Sequence, residues 1–460
     1  MRFDSAIETL SGIGSARYVI IGLLIFGFGV KAGMAPVHVW LPRAHPVAPT
    51  PASALLSGVM IKVGAFGILR VATSYYFPMP SLGLSGIDPL WFTSERIGAV
   101  MIWLGIVTMG IGVFFALQQA NIKRMLAYHS ISQMGYILMG IGVALYLGYK
   151  GAMGYAGATY HIVNHALFKS LLFMVAGVVY LHTRESDMYK LGGLWRKLPV
   201  TFAVCVVASL GISGMPLFNG FISKTILHHG IVEAYTYGSR SFLYAEWLFN
   251  LISAGTVCSF LKLNYYVFLR KLKPEHETIK PKFASLHTAM LAIALAIVLI
   301  GLFPRYLLDN LIIPQLRATT YDAAFIDTYL VGLQFFTRTD LITMVFIFAG
   351  GMLIFVLGRK FDLFHLRLPG WLKVEYVVFY PMNVFMRFAC RLMYGDKCPI
   401  DTDLFGKTEV RGNHRVGFLE RFIIMTNMFN RRYEAVVIKS DAMIYTLFLT
   451  VILLFMAFSL

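Results

Sequence analysis

The chain has 460 residues, of which 58% are hydrophobic and 14% charged, a balance that excludes an ordinary soluble globular domain. Its formal net charge of +17 would point to nucleic acid in a soluble protein, but in a polytopic membrane protein excess Lys and Arg mark cytoplasmic loops. The cysteines Cys205, Cys258, Cys390 and Cys398 are scattered without a CxxC pair, and no haem motif, zinc motif or Gly-rich phosphate loop is present; no disulfide framework, metal site or cofactor is expected.

A helix needs roughly 20 apolar residues to cross the hydrocarbon. Ten such runs are predicted, at about 17–42, 51–75, 97–117, 125–146, 153–181, 199–235, 244–269, 285–304, 340–358 and 441–459. The fold class is therefore an all-α polytopic membrane protein, multi-pass in the cell membrane. No cleavable secretory signal is read, because the first run leads into a Pro-rich stretch and not a small-residue cleavage site. One set of loops is basic, at Lys123–Arg124, Arg184 to Lys197, Arg270 to Lys282 and Arg359 to Lys439, while the loops between them are poor in Lys and Arg or balanced by acids. That alternation puts the basic loops in the cytoplasm and both termini outside.

The first and sixth runs are too long for one straight helix, and both contain breakers. In "LLIFGFGVKAGMAPVHVWLPRAH", Gly29, Gly33 and Pro36 surround Lys31; in "VVASLGISGMPLFNGFISKTIL", Gly211, Gly214, Pro216 and Gly220 precede Lys224. Backbone groups freed by a break inside a membrane must be met by protein or water. Two such segments at matching places point to inverted repeats around an ion path; a pair of packing kinks is the alternative.

Lys31, Lys62, His161, His165, Lys169, Lys224 and Lys262 all fall within apolar runs. A charge at the bilayer centre costs at least roughly 2.5–3.5 kcal/mol, so so many ionisable groups need a reason. Lys262 lies nearer its helix end, where snorkelling to the interface is the expectation. His161, His165 and Lys169 follow one another at i, i+4 and i+8, which stacks them on one helix face about 6 Å apart. Waters bridging those gaps would make a proton wire, because imidazole takes up a proton on one nitrogen and releases it from the other. Hydrogen-bonded structural histidines are the plainer reading of either one alone, and metal chelation lacks a nearby carboxylate or cysteine.

The segments "KAGMAPVHVWLPRAHPVAPTPASALLSGVMIKVGAFGILR", "NIKRMLAYHSISQMGY", "HIVNHALFKSLLFMVAGVVY" and "GMPLFNGFISK" resemble, in order, the antiporter-like subunits of respiratory complex I and of Mrp sodium/proton antiporters. The wording "AHPVAPTPASALLSGVMIK" is most similar to the large membrane subunit of hydrogenase-4 and formate hydrogenlyase complexes. The likeness covers about residues 15–300 and implies a proton-translocating role, with Lys31, Lys62, Lys123, His161, His165, Lys169 and Lys224 as the proton-transfer residues. Lys31 matches the lysine of the first broken helix, Lys123 a lysine near the membrane edge, and Lys224 the exit lysine of the second broken helix. The resemblance also implies an organisation. Residues 1–75 would end a first repeat and 97–269 form a complete five-helix second repeat; beyond the likeness, the residues themselves read as two further spans within 285–358, a basic amphipathic segment at 359–440, either a lateral helix as in the family or an interfacial domain, and a final anchoring span at 441–460.

Family members carry about six more helices ahead of the one holding Lys31, including a glutamate that pairs with it. This chain begins with "MRFDSAIETLSG", so a separate subunit supplying those helices and that glutamate is expected. The expected setting is a multi-subunit complex in a lipid bilayer with a peripheral hydrogenase-type or quinone-reductase-type redox module, no redox catalysis on this chain, and no nucleic acid. An Mrp-type sodium/proton antiporter subunit and a scaffold with a vestigial channel are the alternatives.

Overall fold

The computed structural model describes residues 13–75, 89–279, 284–319 and 321–365. The basic segment predicted at 359–440 lies almost entirely outside them, and the final span at 441–460 wholly so. Among the described residues the regular elements are helices, with one isolated antiparallel bridge between Asn121 and Asp187. Seven helical stretches there are long and apolar enough to cross a membrane: Ala16–Val47, Thr50–Ala72, Thr93–Leu117, Ile122–Lys150, Ala152–Thr183, Ser285–Leu302 and Arg338–Lys360.

The first stretch holds α1 (Ala16–Ala32), a short turn and α2 (Leu41–Val47). α3 runs through Thr50–Leu55, a π turn at Leu56–Met60 and Ile61–Tyr75. α4 (Pro89–Leu117), α5 (Ile122–Leu147) and α6 (Ala152–Thr183) follow. The sixth predicted run is divided into α7 (Pro199–Ser213) and α8 (Asn219–Thr236), so neither half reads as a span by itself. α9 (Phe242–Asn264) is long enough but carries Glu246, Asn250 and Lys262. α10 (Ala284–Leu302) and α11 (Arg338–Lys360) complete the long helices.

Both breaks are present, but fewer residues make them than the sequence pattern implies. α1 ends where Gly33 takes φ 74°, and α7 ends where Gly214 takes φ 87°, in the left-handed region that glycine adopts without a Cβ clash. Gly29, Gly211 and Gly220 instead lie inside helices. Gly220 is there for proximity, since a Cβ on it would collide with the carbonyl oxygen of Gly211.

Burial separates core helices from rim helices. The apolar window of α5 is 100% buried and that of α6 89%, against 33% for the first stretch and 28% for α11. Helices hydrophobic all round and enclosed on every side form the centre of a membrane bundle, so anything polar on α5 and α6 is held away from lipid. α4 reaches α5 along a glycine seam. Gly98, Gly105 and Gly112 on α4 meet the α5 backbone at Tyr146, Met139 and Ser132, while Gly135 and Gly142 on α5 meet α4 at Met109 and Ile102. The repeat of seven keeps small residues on one seam, and small residues let membrane helices approach backbone to backbone.

At Gly105 a Cβ would stand 2.5 Å from Met139 N and 2.8 Å from Gly135 O. Gly105→Val is therefore expected to destabilise the protein by about 1–3 kcal/mol, the usual cost of overpacking, read as a lower unfolding temperature in detergent. Gly22→Ala on α1, where a Cβ meets nothing within 4 Å, is expected to leave that temperature unchanged or raise it.

Candidate functional site

The π turn in α3 winds one extra residue into the helix and takes carbonyls out of the regular ladder. Buried Lys62 donates to one of them, Ser57 O. The Ser57 hydroxyl shares a 2.6 Å hydrogen bond with the Ser130 hydroxyl on α5. Ser130 Oγ donates in turn to Leu126 O at 3.0 Å, and Lys169 Nζ on α6 donates to that same carbonyl at 2.7 Å. Protein groups alone thus link Lys62 to Lys169 across three helices.

His161, His165 and Lys169 are fully buried on α6, each 0% exposed. The His161 and His165 rings stack with centroids 6.3 Å apart and an interplanar angle of 16°. His161 also reaches sideways, with Nε2 3.0 Å from Gln133 Oε1 on α5 and Nδ1 2.9 Å from Ser223 Oγ on α8. With the amide oxygen of Gln133 facing the ring, Nε2 carries hydrogen and Nδ1 accepts from the Ser223 hydroxyl. When the ring is protonated, Nδ1–H donates to Ser223 Oγ, and the serine hydroxyl turns to Gly220 O at 3.3 Å. His161 can therefore change charge without losing a hydrogen bond. His165 differs, since neither ring nitrogen has a protein partner.

The second break provides the next acceptor. α7 ends at Ser213, whose carbonyl has no helical partner beyond the break, and fully buried Lys224 donates to it at 3.2 Å. Lys224 Nζ also stands 5.1 Å from the centroid of the Tyr136 ring, a face that favours the charged amine. The Tyr136 ring lies 5.6 Å from that of His161, and its hydroxyl is fixed by Ser253 Oγ at 2.7 Å. Lys224, Tyr136 and His161 are therefore neighbours, which places the ladder's His161 end beside Lys224 and its Lys169 end beside Lys62.

Two lysines stand elsewhere. Lys123, in the first turn of α5, is buried, donates to Ala48 O at 3.1 Å and lies over the Tyr180 ring at 5.6 Å. Lys31 sits half-buried in the last turn of α1 with no hydrogen-bond partner among the described residues, so the structure does not bring it into the network.

Lys262 corrects an expectation. It does not snorkel into the interface but is fully buried, donating to Leu117 O at 2.6 Å and Gln119 O at 2.9 Å. Leu117 closes α4, and the free carbonyls of a helix C-terminus with their partial negative charge offer an ammonium a closer partner than headgroups do.

Sequence reasoning missed several members. His129, Gln133 and Tyr136 recur at i, i+4 and i+7 on α5, a spacing that would have revealed one polar face. His129 and, on α2, His45 are fully buried with both ring nitrogens unpartnered. Ser57 and Ser130 carried no sequence signal, being 73 residues apart. Their shared bond predicts a measurable coupling. In a double-mutant cycle of Ser57→Ala and Ser130→Ala on thermal stability, the two changes are expected to be non-additive by about 0.5–1.5 kcal/mol; strict additivity would mean that the two hydroxyls do not interact.

The family described as NADH:quinone oxidoreductase/Mrp antiporter, transmembrane part, matches residues 5–245. Hydrogenase-4 component B of Escherichia coli K12 is 43% identical over 228 residues, 48% of this chain and 32% of that protein. Formate hydrogenlyase subunit 3 of the same strain is 34% identical over 288 residues, 59% of this chain and 44% of its own length. The chain thus spans less than half the length of these curated relatives. In the structure of the Mrp complex from Dietzia sp. DQ12-45-1b, a subunit superposes with a TM-score of 0.65 at 25% identity, covering 85% of this chain and 40% of that one. With more than half of its length matched by the family, the chain belongs to the NADH:quinone oxidoreductase/Mrp antiporter membrane family.

Proposed function

We propose that this chain is a proton-translocating, antiporter-like membrane subunit of a redox-driven complex of the hydrogenase or complex I kind. One observation carries the reading. The buried cations Lys62, Lys169 and Lys224 all rest on backbone carbonyls, and between them lie hydroxyls, an amide and imidazoles. An amine donates to a carbonyl whether it is charged or neutral, so each lysine can give up or regain a proton without losing its partner. His165, with two unpartnered ring nitrogens between Lys169 and His161, is a site for bridging water, since buried polar atoms are almost always satisfied. The path is Lys62, Lys169, His165, His161 and then Lys224, with water carrying the proton from Lys62 to Lys169, because Leu126 O accepts from both Ser130 and Lys169 and relays none, and with Lys123 exchanging protons at the membrane edge. Helices α4–α9, with α7 and α8 counted as the two halves of one broken helix, make up the complete five-helix repeat at 97–269, and α1–α3 the end of another.

Partners and sidedness belong to the same reading. The outward face of α1 carries Val19, Leu23 and Phe26, 63%, 66% and 52% exposed, on the helix that ends in half-buried Lys31. A neighbouring chain packed there would cover this face and bring Lys31 its carboxylate; Lys31 open to lipid in the assembled complex would contradict that. The basic loops face the cytoplasm and the N-terminus faces outward.

The likeness to the Mrp complex over 85% of the chain favours a second reading, a cation/proton antiporter subunit without a redox partner. Proton uptake by inside-out vesicles carrying the assembled complex, driven by its own electron donor, separates the two, because an antiporter subunit responds to a sodium gradient and not to the donor. In the redox reading Lys169→Ala lowers the protons moved per electron by an order of magnitude or more. Lys169→Arg does the same, since guanidinium keeps its proton. Unchanged pumping in both variants would reduce the chain to a scaffold.

A further inference from the structure

Beyond Lys224 the structure assembles a group that the proton ladder does not use. His228 and His229 follow on α8, and Asp340 opens α11, far away in sequence. Their ligating atoms lie within 4.8 Å of one another. His229 Nε2 is 3.0 Å from Asp340 Oδ1, and His228 Nε2 is 2.8 Å from Glu246 Oε1 on α9. We propose that His228, His229 and Asp340, with Glu246 behind them, form a binding site for a divalent transition-metal cation of the zinc type.

The donor set fits that class. Imidazole nitrogens with carboxylate oxygens suit zinc and its neighbours, whereas magnesium and calcium take oxygen alone. Tetrahedral coordination needs donors roughly 3.4 Å apart. The His229 side chain is 29% exposed and so has room to close the remaining gap.

Two further features orient the donors. Asp340 is fixed from behind, with Thr337 Oγ1 donating to its Oδ2 at 2.6 Å and its own N–H donating to Thr337 Oγ1 at 3.2 Å, which leaves Oδ1 turned towards His229. Glu246, accepting from Nε2–H of His228, leaves Nδ1 of that ring as the lone-pair donor, the way a carboxylate sets the tautomer of a ligating histidine. A small cavity bordered by Lys224, His228, Asn250 and Asp340 joins this group to the end of the ladder. A bound cation would stand next to Lys224 and repel a proton arriving there.

Metal binding is tested without reference to transport, so its failure and the failure of the proton reading are told apart. The purified full chain in detergent is titrated with Zn2+ by calorimetry and with Co2+ by visible absorption. One saturable equivalent of Zn2+, a Co2+ spectrum of low coordination number that Zn2+ abolishes, and no response to Mg2+ are expected. His229→Gln and Asp340→Asn, checked for an unchanged elution profile, are each expected to weaken Zn2+ binding by about tenfold or more. Absence of saturable Zn2+ binding to the unaltered chain would overturn the proposal, as would equal affinity in both variants. If a variant fails to fold, Glu246→Gln and the Co2+ spectrum of the unaltered chain still decide.

Discussion

A buried ammonium held by a backbone carbonyl instead of a carboxylate is the interaction on which the rest of this molecule turns. Lys62, Lys169, Lys224 and Lys262 are each held this way. No ion pair between any of them and an acid is present among the described residues. A carboxylate partner would favour the charged amine strongly and leave an uncompensated charge whenever the proton departed. A carbonyl accepts from both forms. For three of these lysines the carbonyl comes from a helix irregularity or end, whereas Lys169 shares Leu126 O, inside the regular α5, with Ser130. The π turn of α3 frees one for Lys62, the break after α7 frees one for Lys224, and the end of α4 supplies Lys262.

The histidines obey the same constraint by another route. His161 is satisfied in both protonation states because Ser223 can turn between the ring and Gly220 O. The two histidines, Lys169, Gln133 and Ser130 sit on α5 and α6, the most enclosed helices, and α5 is locked to α4 by glycines in backbone contact. Such a seam holds hydroxyl and amine partners at hydrogen-bonding distance without relying on apolar side chains, which in lipid have no hydrophobic reason to associate.

Much of this was legible in the sequence, and the remainder was hidden for physical reasons. Apolar runs gave the seven spans found among the described residues, Gly33 and Gly214 with their following prolines marked the breaks, and the i, i+4, i+8 spacing put His161, His165 and Lys169 on one face. Partners on other helices were not legible, because nothing local relates Ser57 to Ser130 or His229 to Asp340. Lys262 misled because distance from a helix end predicts snorkelling only where lipid lies beside the helix, and here the end of α4 does. Gly29, Gly211 and Gly220 read as breakers although they lie within helices, Gly220 there for a close approach that one sequence cannot display.

The most direct test is to give a buried lysine the partner it lacks. Ser130 and Lys169 donate to the same carbonyl, Leu126 O, so Ser130→Asp brings a carboxylate to Lys169, and Ser130→Asn brings a neutral group of the same shape. Protons moved per electron by the assembled complex in inside-out vesicles are the readout. The account predicts that the aspartate variant assembles and turns over electrons but moves far fewer protons, while the asparagine variant keeps most of its pumping. An aspartate variant that pumps as well as the unaltered protein would contradict it.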